Sequence, residues 1–391
     1  MDESKKVKNY KLETTNSISK IPKKIYESIC KENVSITPFT SWEFLVAMEV
    51  TGCIGENTGW IPKPLLVYDE NSTLCAIVPR YVKLHSYGEY VFDWSWANAY
   101  DRAGGNYYPK WLIASPFSPV PGSRILAKDG KTKKDVLKIL IEETKRSHFS
   151  SIHMLFGSQE ELEIANKSGW MLRKGVQFHW KNKNFDSFDD FLSSLSQKKR
   201  KKIKAERRKV SDCKIFCKVF IGNEITEEHW HFFCKCYEKT YFEHGNPPYL
   251  NRDFFFYLAE KIPENFALCI AEDTEQKKLI ASSLFVLGKE QNKTIAYGRY
   301  WGAIERISCL HFEVAFYSPI EWAIKEKIAR IEGGAQGEHK LARGFEPNLT
   351  GSVHWVSDPN FRVAVKTFLS REDNGVENYF SELNDRNPFK K

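Results

Sequence analysis

The chain has 391 residues, of which 42% are hydrophobic and 28% charged, and it carries a net charge of +8. This length exceeds one ordinary core, so two or three domains are expected. No apolar run is long enough to form a membrane helix. The lysine-rich start lacks the apolar core of a signal peptide, and we interpret residues 1–35 as a flexible N-terminal tail. The nine cysteines contain no CxxC pair, which is typical of free thiols in a reducing cytoplasm.

The predicted elements follow one plan in each half of the chain. In the first half, the apolar runs PLLVYD and LCAIVPRYVKL predict a hairpin. An aromatic strand (GEYVFDWSW), a helix (TKKDVLKILIEETKRSH), a strand (SSIHMLF), a short helix and a final strand (QFHWKN) follow. The segment DRAGGNYYPKWLIASPFSPVPGSR, between the aromatic strand and the helix, predicts an ordered loop.

The second half offers the same order, with the hairpin ALCIAED and LIASSLFVLG, the strand TIAYGRYWG, the helical stretch LHFEVAFYSPIEWAIKEK, the strand IARIEGG, a short helix and the strand SVHWVS. The order predicts an α/β (α+β) fold with a mixed, mostly antiparallel sheet flanked by helices in each half. We place the first domain at residues 36–184, the second at 185–372, and a C-terminal tail at 373–391.

Most of the net charge lies between the two halves. The segment KKRKKIKAERRK, residues 198–209, holds nine basic residues and one acidic residue. Ser196 can cap a helix over 197–210, on which Ile203 and Val210 repeat at heptad spacing and leave most lysines toward solvent. One basic segment in an otherwise nearly neutral chain favours one anionic partner at one place. A solvated helix face would show the same pattern.

The segment GGAQGEHKLARGF, residues 333–345, concentrates glycines and polar groups between a strand and a short helix. Such a turn is typical of an anion site, because glycines admit close approach and free N–H groups point at the ligand. It is not a P-loop, since no Gly-Lys-Ser/Thr follows at the required spacing. The alternative is a tight connection that only needs glycine. The candidate residues here are Gly334, Gln336, Gly337, Glu338, His339, Lys340 and Arg343.

Two aromatic stretches carry charged residues. In YGRYWG, alternation would place Tyr297, Arg299 and Trp301 on one face of a strand and Tyr300 on the other. A buried arginine needs a carboxylate or a ligand. In HSYGEYVFDWSWANAY, the charged or polar candidates are His85, Glu89 and Asp93. A structural ion pair would produce either pattern.

The helical stretch LHFEVAFYSPIEW contains His311 near its start. Ser318, Pro319 and Glu321 match the cap, first-turn proline and capping-box carboxylate of a fresh helix, so a break or kink is expected near residue 318. His179 and His354 occupy equivalent places in the two halves, where a shared packing role is the better interpretation. No Ser/His/Asp triad, metal cluster or dinucleotide fingerprint is present, and we expect no metal.

Together the segments HSYGEYVFDWSWANAY, YYPK, QFHW, KKRKKIKAERRKV, YGRYWG, LHFE and GAQGEHKLARGF resemble the Fem-like family of peptidoglycan biosynthesis/recognition proteins, within the GNAT acyltransferase superfamily. The resemblance runs from about Ser41 to Arg371 and implies two tandem GNAT-like domains. The Fem group moves amino acids from aminoacyl-tRNA onto peptide amines, whereas ordinary GNAT enzymes move acyl groups from coenzyme A. The glycine pattern with which GNAT enzymes hold the coenzyme A pyrophosphate is missing from GAIERISCLHFE, the corresponding segment.

The resemblance implies a cytoplasmic N-acyltransferase or aminoacyltransferase whose cleft lies in the second domain. The implied co-substrate is acyl-CoA or aminoacyl-tRNA, with no tightly bound cofactor, and the acceptor is a small-molecule or peptide amine. We expect Glu338 or His339 to take the amine proton, with His311 in reserve. Three further groups complete the expected site: substrate-binding Arg299, Tyr300, Gln336, Lys340, Arg343 and Asp93; backbone N–H groups near Gly334 and Gly337; and phosphate-binding Lys198, Lys199, Arg200, Lys201 and Lys202.

Two alternatives to a catalyst stay open at this point. The first is a recognition module that binds a cell-wall precursor, such as a nucleotide-linked one, or RNA. The second is a scaffold whose first half is purely structural.

Overall fold

The computed structural model describes residues 10–33, 35–334 and 337–390. It contains the strands β1 (Lys11–Thr14), β2 (Trp60–Pro62), β3 (Leu65–Tyr68), β4 (Leu74–Val78), β5 (Arg80–Lys83), β6 (Lys110–Ile113), β7 (Leu126–Ala127), β8 (Ser151–Met154), β9 (Met171–Lys181), β10 (Ile215–Ile221), β11 (Phe266–Asp273), β12 (Lys278–Glu290), β13 (Lys293–Ala303), β14 (Arg330–Glu332) and β15 (Glu346–Val356).

The α-helices are α1 (Lys23–Cys30), α2 (Trp42–Val50), α3 (Trp94–Arg102), α4 (Gly130–Arg146), α5 (Gln159–Lys167), α6 (Phe188–Ser194), α7 (Gln197–Asp212), α8 (Glu227–Glu243), α9 (Arg252–Lys261), α10 (Leu310–Phe312), α11 (Ser318–Lys325) and α12 (Pro359–Asp385). A π-helical segment, Glu313–Tyr317, joins α10 to α11, and Glu338–Arg343 form a 3-10 helix. No helix within the described ranges is long and apolar enough to cross a membrane.

The chain divides into two compact units, residues 1–175 with 350–377 (unit 1) and residues 176–349 with 378–391 (unit 2). In unit 1, one sheet runs β1-β3-β4-β7, and a second runs from the end of β15 through β8, β6 and β5 to β2. In unit 2, the sheet runs β10-β11-β12-β13-β14 and ends on the second part of β9. Each unit thus combines a mixed, mostly antiparallel sheet with flanking helices, as the sequence predicted.

The division differs from the consecutive domains expected from the sequence, which met at residues 184 and 185. Strand pairing is the reason. The strand that ends the first half, β9, pairs with β14 of unit 2, while the strand that ends the second half, β15, pairs with β8 of unit 1. Hydrophobic patterning predicts both strands but contains no information about which neighbour each one joins.

Both expected tails need correction. From residue 10 onward the N-terminal segment is folded: β1 pairs with β3, and Tyr26 on α1 is fully buried. The C-terminal segment 373–385 continues α12 instead of forming a tail. In each segment isolated apolar residues such as Ile18 and Leu383 enter a core. Their spacing is too sparse to predict burial from the sequence.

The aromatic run GEYVFDWSW, residues 88–96, does not form the predicted strand: residues 88–93 have no regular structure and 94–96 begin a helix. Residues 94–102 form α3, in which Trp96 and Ala97 are buried, and the expected loop that follows contains a further strand, β6. The predicted break near residue 318 corresponds to the π-helical segment that ends at Tyr317. Ser318 does not cap a new helix, because it has helical backbone angles and its hydroxyl donates to Glu313 Oε1 at 2.7 Å.

Candidate functional site

The centre of unit 2 is the place where two parallel strands separate. β13 and β14 pair from Ile295 with Arg330 to Tyr297 with Glu332. β14 ends at Glu332, and the chain turns away at Gly333 and Gly334, whereas β13 continues to Ala303. An opening between neighbouring strand ends is a place where the backbone can receive an extended ligand.

A β-bulge lies on β13 beside this opening. Phe285 pairs with Gly298 and Leu284 with Tyr300, so Arg299 is the extra residue. The bulge breaks the alternation that was expected to put Tyr297, Arg299 and Trp301 on one face. Tyr300 instead lies on the face that carries α8, with its ring 4.8 Å from that of Tyr237. The guanidinium of Arg299 donates to the Tyr300 hydroxyl at 3.4 Å.

Two histidines lie close together on the other face. The ring of His311, at the start of the helix that follows β13, is 4.4 Å from that of Trp301 and 5.9 Å from that of His339. Burial, followed by the charges of nearby cations, lowers the pKa of His311 to about 4. The same causes lower the pKa of His339. Both imidazoles are therefore neutral at pH 7, a state in which they can accept or relay a proton.

Arg343 is buried beneath the histidines. Its guanidinium lies 3.4 Å from the ring centre of Phe312, and its Nη2 donates to Glu206 Oε2 at 3.0 Å. Glu206 also accepts a short hydrogen bond from the hydroxyl of Tyr317. Arg343 Nη1 donates to the carbonyl of His339 at 2.6 Å. This ion pair links helix α7 to the 3-10 helix and so fixes the position of His339.

Lys340 and Glu338 have different surroundings from each other. The Lys340 ammonium donates to the carbonyl of Gly333, and burial lowers its pKa to about 8. Glu338 is exposed and accepts from Arg386 at 2.8 Å and from Tyr379 at 3.0 Å. The hydrogen bond from Arg386 is the largest cause that lowers the Glu338 pKa. A carboxylate held in this way is a weak base.

Gly334 and Gly337 both have positive φ, +78° and +109°. Glycine is the residue that adopts this conformation without strain, so the turn depends on it. Gln336 lies outside the described residues.

The basic helix is α7, on which Ile203 and Val210 are buried as predicted. Lys198, Lys201 and Lys202 are exposed, while Lys199 and Arg200 are half-buried. Burial lowers the pKa of Lys199, and the charges of Lys202, Lys198, Arg386 and Arg343 lower it further. The start of α7 is therefore a concentration of positive charge within unit 2.

Asp93 belongs to unit 1 and lies in a buried network there. Lys110, which is fully buried, donates to Asp93 at 2.5 Å, to Glu89 at 2.9 Å and to Ser86 at 2.8 Å. The Tyr107 hydroxyl also donates to Asp93, at 2.6 Å. These contacts form a structural ion pair of the kind left open by the sequence. His85 Nε2 donates to the carbonyl of Thr58 at 3.0 Å.

The corresponding strand separation in unit 1 is filled by its own chain. β6 and β8 pair in parallel from Trp111 with Ile152 to Ile113 with Met154. Directly after them, Arg124 donates from Nε to the carbonyl of Leu155 at 2.9 Å, and Gly122 N donates to the carbonyl of Phe156 at 3.0 Å. The loop before α4 thus occupies the place that is open in unit 2.

Sequence reasoning missed a buried carboxylate at the opening itself. Glu332, the last residue of β14, is 5% exposed, and burial raises its pKa to about 7. Its Oε2 lies 3.8 Å from Nε2 of His179 on β9. The available signal was a glutamate at the carboxyl end of a buried strand, immediately before two glycines. His179 had been interpreted as a packing residue only.

The segment that would meet a coenzyme A pyrophosphate does not suit one. Residues 303–309 contain no glycine, and Ile304, Ile307 and Cys309 pack against the unit 2 core. Arg306 Nη2 lies 3.7 Å from Glu243. A phosphate site at a helix start needs close backbone approach, which a segment without glycine that packs against the core does not offer.

Comparison with solved structures supports the fold. The C-terminal domain (DUF2156) of a putative lysylphosphatidylglycerol synthetase from Agrobacterium fabrum has a TM-score of 0.51 at 8% identity, covering 88% of this chain and 95% of that one. A conserved protein of unknown function from Bacteroides thetaiotaomicron has a TM-score of 0.51 at 11% identity, covering 89% and 100%. A tandem GNAT protein from the clavulanic acid biosynthesis pathway has a TM-score of 0.47 at 8% identity, covering 90% and 99%.

The sequence comparisons are more specific. No curated protein sequence matches the chain. The model of the FemAB-like family, described as peptidoglycan biosynthesis/recognition, matches residues 17–391. The chain therefore belongs to the FemAB-like peptidoglycan biosynthesis/recognition family and, as its motifs indicated, is an acyl- or aminoacyltransferase.

Proposed function

We propose that the protein transfers an aminoacyl or acyl group to an amine at the opening between β13 and β14 of unit 2. The observation that carries this proposal is the difference between the units. The parallel strands of unit 2 separate beside two neutral histidines and two glycines with positive φ. The equivalent place in unit 1 is closed by Arg124 and its loop. Unit 1 therefore has a structural role in this proposal.

We favour aminoacyl-tRNA over acyl-CoA as the donor. The segment 303–309 does not suit a pyrophosphate, for the reasons given above. The exposed lysines at the start of α7 offer a cationic surface that suits a polyphosphate backbone. Such contacts would steer a tRNA without reading its sequence.

The residues of the opening are assigned roles by their surroundings. His339, with His311 behind it, would relay a proton to the leaving group of the donor: a neutral imidazole first accepts a proton and then, as the imidazolium, gives it up. Backbone N–H groups near Gly334 and Gly337 would hold the donor carbonyl oxygen. Arg299 and Tyr300, together with Lys340, would contact polar parts of the acceptor. Arg343 acts by positioning His339.

The acceptor in this proposal is the amine of a small molecule or peptide, as in a wall precursor, including one linked to a nucleotide. We further propose a cytoplasmic location. The nine free thiols of the chain are compatible with a reducing compartment.

The test is transfer from two radiolabelled donors, acetyl-CoA and alanyl-tRNA, to a panel of primary amines. We expect transfer from the tRNA, with His339→Asn lowering kcat about 100-fold or more and Glu338→Gln having little effect. Transfer from acetyl-CoA alone would overturn the donor assignment. If neither donor is used but a wall precursor or RNA raises Tm in both variants, the chain is the non-catalytic recognition module.

A further inference from the structure

Three side chains form a row across the sheet at the opening. Glu332 is in register with Tyr297 of β13 on one side and with His179 of β9 on the other. Residues in register across neighbouring strands point to the same face of a sheet. The row lies on the face opposite to Ile331 and Trp180, which belong to the core under α11. His311 and His339 contact the helical segment 310–317 on that core side.

Within this row, two buried atoms lack a hydrogen-bond partner among the described residues. They are Glu332 Oε2 and His179 Nε2, which lie 3.8 Å apart. The other oxygen of Glu332 is occupied, since Arg330 Nε donates to it at 2.9 Å. Leaving a buried polar atom unpaired costs about 1–3 kcal/mol, so a native structure keeps such an atom chiefly where a ligand or water completes it.

We propose that Glu332 and His179 receive the acceptor amine, with Glu332 as the general base that removes its proton. The 3.8 Å separation of Glu332 Oε2 and His179 Nε2 is one that a single nitrogen atom bridges when it lies about 2.9 Å from each. Because both atoms are buried, the side chains around them must move apart to admit the amine. One amine then donates one N–H to each atom. The pair suits a primary amine because such a group has two or three N–H donors, whereas a hydroxyl has only one. This assignment rests on the proposed function and specifies its acceptor side.

The reaction balances with the groups already named. The ammonium of the acceptor gives one proton to Glu332, and the free amine attacks the donor carbonyl. A C–N bond forms and the bond from the carbonyl carbon to the donor oxygen or sulfur breaks. The nitrogen loses a second proton to solvent, and His339, on the opposite face of the sheet, passes one proton from solvent to the leaving group. The products are an amide, the deacylated donor and a protonated Glu332, which then releases its proton to solvent.

The charges around Glu332 support a base that works near neutral pH. The charged or titratable groups that face the pair are Arg330 on its own strand, Glu290 on β12, Tyr297 on β13, Lys181 on β9, and Lys340 on the 3-10 helix. Burial is the largest influence on Glu332 and raises its pKa to about 7, and the positive charge of Arg330 limits the rise. A base whose pKa lies close to the working pH is the most effective one.

The experiment compares two acceptors in wild type and Glu332→Gln. An alkylamine is protonated at pH 7 and needs a base, whereas hydroxylamine is already unprotonated and does not. We expect the variant to transfer to the alkylamine about 100-fold or more slowly, with KM little changed, and to hydroxylamine at nearly the wild-type rate. The rise of the wild-type alkylamine rate through about pH 7 should be lost in the variant.

The matched control is Glu290→Gln. Glu290 accepts from the same Arg330, at 2.8 Å, but lies at the end of β12 with a partly exposed side chain. The Glu290→Gln variant should transfer to the alkylamine and to hydroxylamine at nearly the wild-type rates. Equal losses with both acceptors in Glu332→Gln, or no loss with either, would overturn the base assignment while leaving the proposed function standing. Failure of the wild type to use any donor with either acceptor would overturn both.

Discussion

Arg343 and Glu206 form a buried ion pair, with Arg343 Nη2 3.0 Å from Glu206 Oε2 and Arg343 only 2% exposed. Glu206 belongs to the basic segment, which the sequence left as either an anion-binding surface or a solvated face. Arg343 belongs to the glycine-rich segment, which the sequence left as either an anion site or a tight connection. Their contact makes the two motifs one structural unit.

We therefore expect Arg343→Ala to be strongly destabilising. The substitution leaves the carboxylate of Glu206 buried without its cation, which should cost about 3–5 kcal/mol in the free energy of unfolding. Urea denaturation measures the difference. Arg386→Ala, which removes the exposed partner of Glu338, is the control and should cost far less. Equal losses in the two variants would contradict the structural role of the buried pair.

The stability of Glu332→Gln relative to wild type should depend on pH. The pKa of Glu332 is raised from 4.5 to about 7 in the folded protein, so the folded state holds a proton that the unfolded state releases. This contribution to stability is fully present below pH 4.5 and is lost as the pH rises to about 7. Relative to wild type, the free energy of unfolding of the variant should therefore rise by up to about 1.4 kcal/mol per pH unit between pH 4.5 and about 7. Above about pH 7 it should rise no further. Urea midpoints from pH 4.5 to 8.5 measure the difference; a flat difference would refute a buried, titrating carboxyl.

Alanine substitutions at two glycines should change the stability of the protein in opposite directions. A Cβ on Gly302 would overlap the carbonyl of Cys236 and approach Thr240 Oγ1, so Gly302→Ala must push α8 away from β13. Overpacking of this kind costs about 1–3 kcal/mol. Gly375 lies exposed inside α12 with nothing near its Cβ position, and Gly375→Ala should raise stability by about 1 kcal/mol. Thermal unfolding of both variants checks the pair, and a gain in stability for Gly302→Ala would contradict the close packing.

Replacing Lys198, Lys201 and Lys202 by glutamine should weaken tRNA binding and make it less dependent on salt. Each lost phosphate contact lowers the slope of log K against log salt by about 0.7. The thermal midpoint should stay unchanged because these side chains are exposed. A triple glutamine variant at Lys131, Lys134 and Lys138, exposed on α4, removes the same charge elsewhere and should bind as wild type does. Equal loss in both triples would indicate net charge as the cause, and not the start of α7.

The sequence predicted correctly those helices and strands that are specified by neighbouring residues. The hairpin β11–β12 and the helix α7 follow from apolar runs, turn residues and heptad spacing. The strand predicted over residues 88–96 was wrong: its last residues, 94–96, begin α3, where burial on a helix face outweighs strand propensity. Trp96 and Tyr100 are four residues apart and share a helix face, where their rings lie 5.0 Å from His354 and 4.9 Å from Phe361. These contacts with residues far away in the sequence favour a helix at this place.

The sequence by itself determined the family, the repeated plan of two halves and the basic helix, because each depends on residues that are close along the chain. Only the tertiary structure decided that β9 completes unit 2 and β15 completes unit 1. It also decided that Glu338 is held by Arg386 while Glu332 is buried beside His179. These outcomes depend on contacts between residues that are distant in the sequence: 48 positions for Glu338 and Arg386, and more than a hundred for the strand partners and for Glu332 and His179. The difference in burial between the two glutamates is what changes their chemistry.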